Sequence, residues 1–558
     1  MPSRIKKRFK DCQTIFGAIF DCYQDRPGKT ALIDDNDGSV SYSDLLTKIE
    51  RLAGGLRKAG ACKGDRIGII SENCTRWGIS YLAIQAAGGI VIPFDPVFKR
   101  EELADLLGIS EIKFLFCSEK WFLPLMQIID FDKLDIELIP LFGAGKITYE
   151  LLVDSDPFVE KSTGLDDTAA IIYTSGTTGA PKGVILTHGN ILANLDSVSQ
   201  ALPFYDNDVF LSILPLHHTF EATCGFLVPL SLGITIVYAG SLKSRDIINC
   251  IKENNVTVMV AVPLVYEKFY MAIKRRLNQL PAAKKMILKW FEKIGSIGKI
   301  FNINIGKILF RGLRRQGGLD SIRMFISGGA PLPRHIGEWF NITGLCLLEG
   351  YGMTECSPVL AVNRPDNFCI GSVGPPLPDI ELKINEPNED GIGEIIVRGG
   401  NTTPGYLNNP KATSELLRDG WLYTGDMGKI EKGRLFITGR SKNIIVSGGG
   451  KNIYPEEIES CLNQSDYVLE SLAVGRERSG KTGEEIWAII VPDKEQIELE
   501  LADSKTAQSE SGIRDLIGQV VKDVNSRLAD YKRIVNFEIR TEEFEKTAAK
   551  KIKRTKYK

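Results

Sequence analysis

The apolar positions of this chain change period along its length, and those changes divide it. Between residues 29 and 165, helix-like and strand-like segments alternate. Ser43–Ala59 has helical spacing, while Arg66–Ile70 and Gly89–Pro93 read as short buried strands with a helix, Trp77–Ala87, between them. Such alternation predicts an α/β fold around a mainly parallel sheet. Ala169–Tyr173 and Val184–Leu186 are β-prone, Asn190–Ala201 reads as a helix, and Val209–Leu214 and Ile322–Ile326 read as strands. Past residue 440 the pattern changes. Pro455 with Glu456 and Glu457 opens a helix, because proline suits the first helical position and acids suit the positive helix end. Ile513, Leu516, Ile517, Val520, Val521, Val524 and Leu528 form one helical stripe. Strand-like runs Leu469–Val474, Ile486–Val491 and Val535–Ile539 complete a small α+β module. The expected organisation is a large N-terminal domain of layered sheets and helices, residues 1–440, and a small C-terminal domain, 441–558.

The segments between the strands carry the chemistry. After Tyr173 come Thr174, Ser175, Thr177 and Thr178 as hydroxyl donors, with Gly176, Gly179 and Gly183 freeing the backbone and Lys182 adding a positive charge. Such a concave donor set suits a polyphosphate. No Gly-Lys-Ser/Thr follows and no helix starts there, so it is not a Walker A loop; the plain alternative is a turn between two strands. Pro215-Leu216-His217-His218 ends another strand, where ligands of α/β sheets bind; a surface histidine pair is the alternative. Ser327-Gly328-Gly329-Ala330-Pro331 follows the strand Ile322–Ile326, and its glycines let backbone approach a flat ligand. In Leu347-Leu348-Glu349-Gly350-Tyr351-Gly352-Met353-Thr354-Glu355, Tyr351 can stack on a purine, Thr354 can donate to a phosphate, and Glu355 is a hard oxygen ligand suited to Mg²⁺.

Composition narrows the classes. The 558 residues are 43% hydrophobic and 25% charged, as in ordinary globular proteins, and a net charge of -1 gives no global pull toward nucleic acid. Eleven cysteines without zinc spacing and only four histidines point to reduced thiols in a cytoplasmic protein and against a structural zinc site. Thr14–Phe20 reads as an amphipathic helix rather than a secretion signal. The uncharged run Ala222–Leu242 is interrupted by Pro229, Ser231 and Gly233, so it reads as a buried helix followed by a core strand. Residues 274–315 combine Lys274, Arg275, Lys289, Lys293, Arg311, Arg314 and other basic residues with Met286, Trp290, Phe291 and Phe301. That mixture fits either an interfacial helix touching anionic lipid at the inner membrane face or a solvated helix face.

The string Tyr173–Gly183 resembles the phosphate-binding signature of the adenylate-forming superfamily, which includes acyl-CoA synthetases. The segments at Gly328–Pro331 and Gly350–Glu355 resemble its adenine and magnesium motifs, and further similar motifs run in family order to Arg554. Bacterial long-chain fatty-acid–CoA ligases are the most similar group. The resemblance implies activation of a fatty acid by ATP to an acyl-adenylate, then transfer to coenzyme A. It implies ATP contacts from Thr174–Gly179, Lys182, Gly328–Pro331 and Gly350–Met353, and Mg²⁺ on Glu355 and Thr174. His218 falls beside the acyl-carboxylate pocket, Asp426 on the ribose position, Arg440 on ribose and phosphate, and Lys442 on the hinge of a mobile C-terminal domain. The tail Glu545-Lys546-Thr547-Ala548-Ala549-Lys550-Lys551-Ile552-Lys553-Arg554 resembles the family's Pro-Lys-Thr-x-x-Gly-Lys-Ile-x-Arg, with Lys551 on the catalytic lysine. Glu545 and Lys550 depart from that pattern. Rival readings are a ligase loading a carrier protein, a CoA ligase for aromatic or short acids, and a membrane-associated binding protein without chemistry.

Overall fold

The structure is a computed structural model that describes residues 3–96, 98, 100–174, 181–241, 243–278, 281, 286, 290–291, 294, 305–477, 483–500, 509–546 and 552–557. The chain forms two compact units. One comprises Met1–Leu382 and Val397–Leu422; the other comprises Lys383–Ile396 and Tyr423–Lys558.

The first unit holds two large sheets. In the seven-stranded sheet, Ile90–Pro93 and Arg66–Ile70 lie side by side, flanked by Thr168–Thr174 and Ile112–Cys117, all parallel. Lys182–Thr187 turns back antiparallel on Thr168–Thr174, and Gly405–Tyr406 pairs beyond it. The eight-stranded sheet orders Leu347–Gly352, Met324–Ser327, Val258–Ala261, Val209–Ser212, Thr235–Tyr238 and Thr30–Asp34 in parallel, with antiparallel edges Val359–Val362 and Gly38–Ser41. Helix Thr75–Ala86 touches strands of both sheets. All its residues but Arg76 are buried, which explains why its sequence is apolar on every side rather than striped. Helix Tyr42–Lys58 keeps one apolar face, through Leu45, Leu46, Ile49, Leu52, Ala53 and Leu56, and starts where the Ser41 hydroxyl accepts from the Asp44 N–H. Helix His188–Ala201 begins with a reciprocal cap between Thr187 and Asn190.

The N-terminal helix spans Ile15–Asp25 and is capped by Thr14. Its apolar face is part of the core rather than a surface: Ile15, Phe16, Ala18 and Ile19 are buried. The uncharged run at 222–242 resolves into a π-helical turn, Glu221–Leu227, a short helix, Val228–Ser231, and the strand Thr235–Tyr238, all buried. Among the described residues no helix is long and apolar enough to cross a membrane.

The strand Trp421–Glu431, which belongs to the second unit from Tyr423 onward, forms a hairpin with Arg434–Arg440. Beyond it, Val468–Glu477 and Glu484–Pro492 pair antiparallel, and Ile534–Ile539 joins parallel. Helices Pro455–Leu462 and Glu510–Asn525 cover this sheet through Ile458, Leu462, Ile517, Val520, Val521 and Val524. The α+β module expected past residue 440 is present, with proline at its predicted helix start.

Candidate active site

In the first unit the motifs converge because they follow neighbouring parallel strands. Ser327 is in register with Glu349, so Gly328 leaves its strand beside Gly350, where the neighbouring strand continues paired with Val362. Gly328 is buried, and a Cβ there would stand 2.8 Å from the Phe220 ring. The space that glycine frees is therefore taken by Phe220, while Gly329, Ala330 and Pro331 are exposed. Tyr351 and Gly352 end the next strand, and after Met353 the chain makes a tight turn at Thr354–Cys356. The Thr219 hydroxyl donates to that of Thr354 at 3.3 Å, so the segment bearing His218 meets the turn bearing Glu355. Asn73 braces that segment: its amide donates to the Leu214 carbonyl at 2.6 Å and accepts from the Leu216 N–H at 2.9 Å.

Glu355 has a partner from the other sheet. Tyr406 Oη donates to its Oε1 at 2.7 Å, and Lys182 Nζ lies 5.0 Å from the Tyr406 ring centroid. Thr174 stands opposite Lys182 in the antiparallel ladder, and its hydroxyl donates to the Lys182 carbonyl at 3.4 Å. Thr174, Lys182, Tyr406, Glu355, Thr354 and Thr219 thus form one connected group. Ser175, Gly176, Thr177, Thr178 and Gly179 lie outside the described residues. A carboxylate with one donated hydrogen bond keeps further lone pairs, so Glu355 fits a hard divalent cation, and the Thr174 hydroxyl oxygen is a compatible second ligand.

In the second unit, Asp426 sits within the strand Trp421–Glu431. It faces Arg440 across the hairpin, and Arg440 Nε donates to its Oδ1 at 2.7 Å. The two residues expected to contact the nucleotide separately are one ion pair. Lys442 is exposed in the short turn Ser441–Asn443. Lys550 and Lys551 lie outside the described residues, but the chain on either side is held. Lys546 bridges Ile552, and the Lys553 N–H donates to the Glu545 carbonyl at 2.8 Å. Arg554 reaches Glu459 and Glu456 on helix Pro455–Leu462. Glu545 stands where the family pattern has proline, and its N–H donates to Tyr557 Oη at 2.8 Å, a bond proline cannot make.

The AMP-binding enzyme model matches residues 20–407, and the AMP-binding enzyme C-terminal domain matches residues 457–551. The chain belongs to the AMP-binding enzymes. It is 30% identical to the long-chain-fatty-acid–CoA ligase of Bacillus subtilis, over 95% of this chain and 91% of that one. It is 27% identical to a chloroplastic long-chain-fatty-acid–[acyl-carrier-protein] ligase of Arabidopsis thaliana, over 86% of this chain and 74% of that one. The ATP-bound crystal structure of MatB from Rhodopseudomonas palustris superposes with a TM-score of 0.78 at 27% identity, covering 97% of both chains.

Four residues of this AMP-binding enzyme enter the site without having been singled out by its sequence. Tyr406 stands in the two-residue edge strand Gly405–Tyr406, with nothing local to mark it. Asp95 follows a predicted strand end, the one signal pointing to it. Glu349 is half-buried and accepts from the Gly371 N–H at 3.4 Å, and desolvation pushes its carboxyl up to about 7. Glu221 is 0% exposed, and burial pushes its carboxyl up to about 8 against the opposing influence of the Ser212 hydroxyl. Its carboxyl fills the space of a missing side chain at Gly225, where a Cβ would lie 2.4 Å away.

Glu221 makes a signed prediction. The folded chain holds a proton that the unfolded chain releases above the ordinary value of 4.5. Stability therefore falls as pH rises from about 4.5 to about 8. Glu221→Gln should remove that loss, worth on the order of 3 kcal/mol at pH 7. The Tm of the variant relative to the unaltered chain is expected to rise from pH 5 to pH 8; a constant difference would contradict the neutral carboxyl. Tyr406→Phe deletes one donor to a charged group and should lower acid-dependent pyrophosphate release about tenfold, read as a higher half-saturating Mg²⁺.

Proposed function

We propose that this chain activates a fatty acid with ATP and transfers the acyl group to coenzyme A. One observation carries the reading: the segment expected to meet the acid, His218–Phe220, and the motif expected to meet phosphate and Mg²⁺, Thr354–Glu355, touch through Thr219. A carboxylate oxygen attacks the α-phosphorus, the bond to the β-phosphate oxygen breaks, and pyrophosphate leaves. Lys182, Thr174 and Thr354 face the phosphates, His218 lies beside the reacting carboxylate, and Tyr406 orients Glu355. Mg²⁺ held by Glu355 and Thr174 would neutralise phosphate charge. Asp426 and Arg440 take the ribose, and Lys551 meets charge developing at the α-phosphate. The coenzyme A sulfur then loses its proton and attacks the acyl carbonyl, and AMP departs. Lys442 is the pivot between the half-reactions.

The test is pyrophosphate release and thiol consumption across fatty acids of increasing length, with acetate and benzoate as controls. Both signals should peak together with a long acid. The Arabidopsis relative favours a second reading, transfer to a carrier-protein thiol; pyrophosphate release without coenzyme A consumption would select it. A peak with benzoate or acetate would replace the fatty acid, and silence with every acid would end the enzymatic reading.

Peripheral lipid contact through 274–315 is a further part of the proposal. Trp290 and Ile308 are 64% and 77% exposed, and Met286 is also exposed. Arg314 must be removed from the basic set, since it is buried and its guanidinium donates to the carbonyls of Thr343, at 2.9 Å, and Lys307. Lys289, Lys293 and Phe301 lie outside the described residues. Flotation with anionic liposomes should carry the chain upward, and charge reversal of the lysines should abolish it; binding unchanged by reversal would remove this surface from the reading.

A further inference from the structure

The geometry points to a transition-metal site formed by Asp95, His217 and His218, whose occupation by a borderline divalent ion such as Zn²⁺ or Co²⁺ withdraws His218 and inhibits acid activation. Sequence spacing conceals this set, because Asp95 follows the strand Ile90–Pro93 of one sheet and the histidines follow Val209–Ser212 of the other. Each residue offers one ligand atom, and these atoms lie within 4.8 Å of one another. Two ligands about 2.1 Å from a common ion stand at most about 4.2 Å apart, so a small side-chain rotation completes the set. The imidazole rings are 4.2 Å apart, and His217 Nε2 lies 3.3 Å from Asp95 Oδ1.

Two further observations point to a ligand there. His217 and Asp95 are both buried, and His217 Nε2 has no hydrogen bond despite its nearness to the carboxylate, for want of alignment. The backbone before the histidines is already held by Asn73, so binding orders little new chain. Two imidazoles and one carboxylate suit Zn²⁺, Co²⁺ or Ni²⁺; Mg²⁺ prefers an all-oxygen shell. This separates the site from Glu355. The ion would occupy the strand end next to Thr219, where His218 meets the acid, so the inhibitory half rests on the fatty-acid activation reading.

The metal-free full chain, without nucleotide, is titrated with Co²⁺ and followed by its visible absorption. One equivalent should bind and be displaced by Zn²⁺. Asp95→Asn and His217→Gln should each weaken binding by more than the roughly 10–100-fold that outer-shell losses cost; Glu355→Gln should leave it unchanged. Binding retained by both variants overturns the site. Should they fail to fold, X-ray absorption at the zinc edge of the unaltered chain decides: two imidazole ligands support the assignment and fewer overturn it. Zn²⁺ should suppress pyrophosphate release in the unaltered chain and spare Asp95→Asn. Equal suppression of both overturns the inhibitory role. If no acid yields pyrophosphate, the activation reading falls while the cobalt titration still decides the site.

Discussion

Lys551→Ala is expected to lower acid-dependent pyrophosphate release by at least about 10²–10³-fold, the range for loss of one group aimed at developing charge. Thioester formation from supplied acyl-adenylate should stay within a few-fold. The reason lies in where charge grows. When the carboxylate attacks the α-phosphorus, negative charge builds on oxygens that only a positioned cation can meet without reorganisation. When the thiol attacks, the phosphate is the departing group and the lysine has no corresponding task. Equal loss in both half-reactions would refute the division of labour. Lys550→Ala is the matched control, because the tail departs from the family pattern at that residue. If it costs more than Lys551→Ala, the motif is read one position out of register.

Glu355→Gln should also lower pyrophosphate release about 10²–10³-fold, with little change in Tm. Glutamine keeps the shape and can still accept from Tyr406, whose hydroxyl donates to Glu355 Oε1 at 2.7 Å, so what disappears is the charge. Glu355 is only half-buried, so folding does not rest on it. Steady-state rates against Mg²⁺ provide the check. A variant that matches the unaltered chain at every Mg²⁺ concentration would show that Glu355 is not the metal carboxylate. Because Tyr406→Phe removes only the orienting bond, its smaller effect should lie on the same Mg²⁺ axis.

The periodic parts of the fold were legible. Arg66–Ile70 matches its strand end for end, and the stripe from Ile513 marks a helix that runs Glu510–Asn525. Local pattern suffices there because each element buries one side or is wholly enclosed. The buried helix at 222–227 was anticipated, but not its π-helical form, since backbone hydrogen-bond pitch leaves no mark on hydrophobic spacing. The first unit's site was legible wherever a motif stays on one strand end, as in Gly350–Glu355. It was opaque where two distant strand ends meet. Asp95 and His217 are 122 positions apart, and nothing local ties either to the other. The Asp426–Arg440 pair was missed for a related reason: both residues were noticed, but hairpin register decides that they face each other.

The Glu545 backbone bond to Tyr557 has a consequence for protein engineering. Substituting toward a family's commonest residue is a usual route to greater stability, and here it would write proline at 545. Proline would remove the N–H that Tyr557 accepts from, and with it the carboxylate that pairs with Lys556. The Phe544 ring beneath, packed edge-on against Tyr557 at 5.0 Å, would lose a neighbour's anchor. In this chain the commoner residue is the disruptive one, so a variant library should leave 545 untouched or change it together with Lys556 and Tyr557.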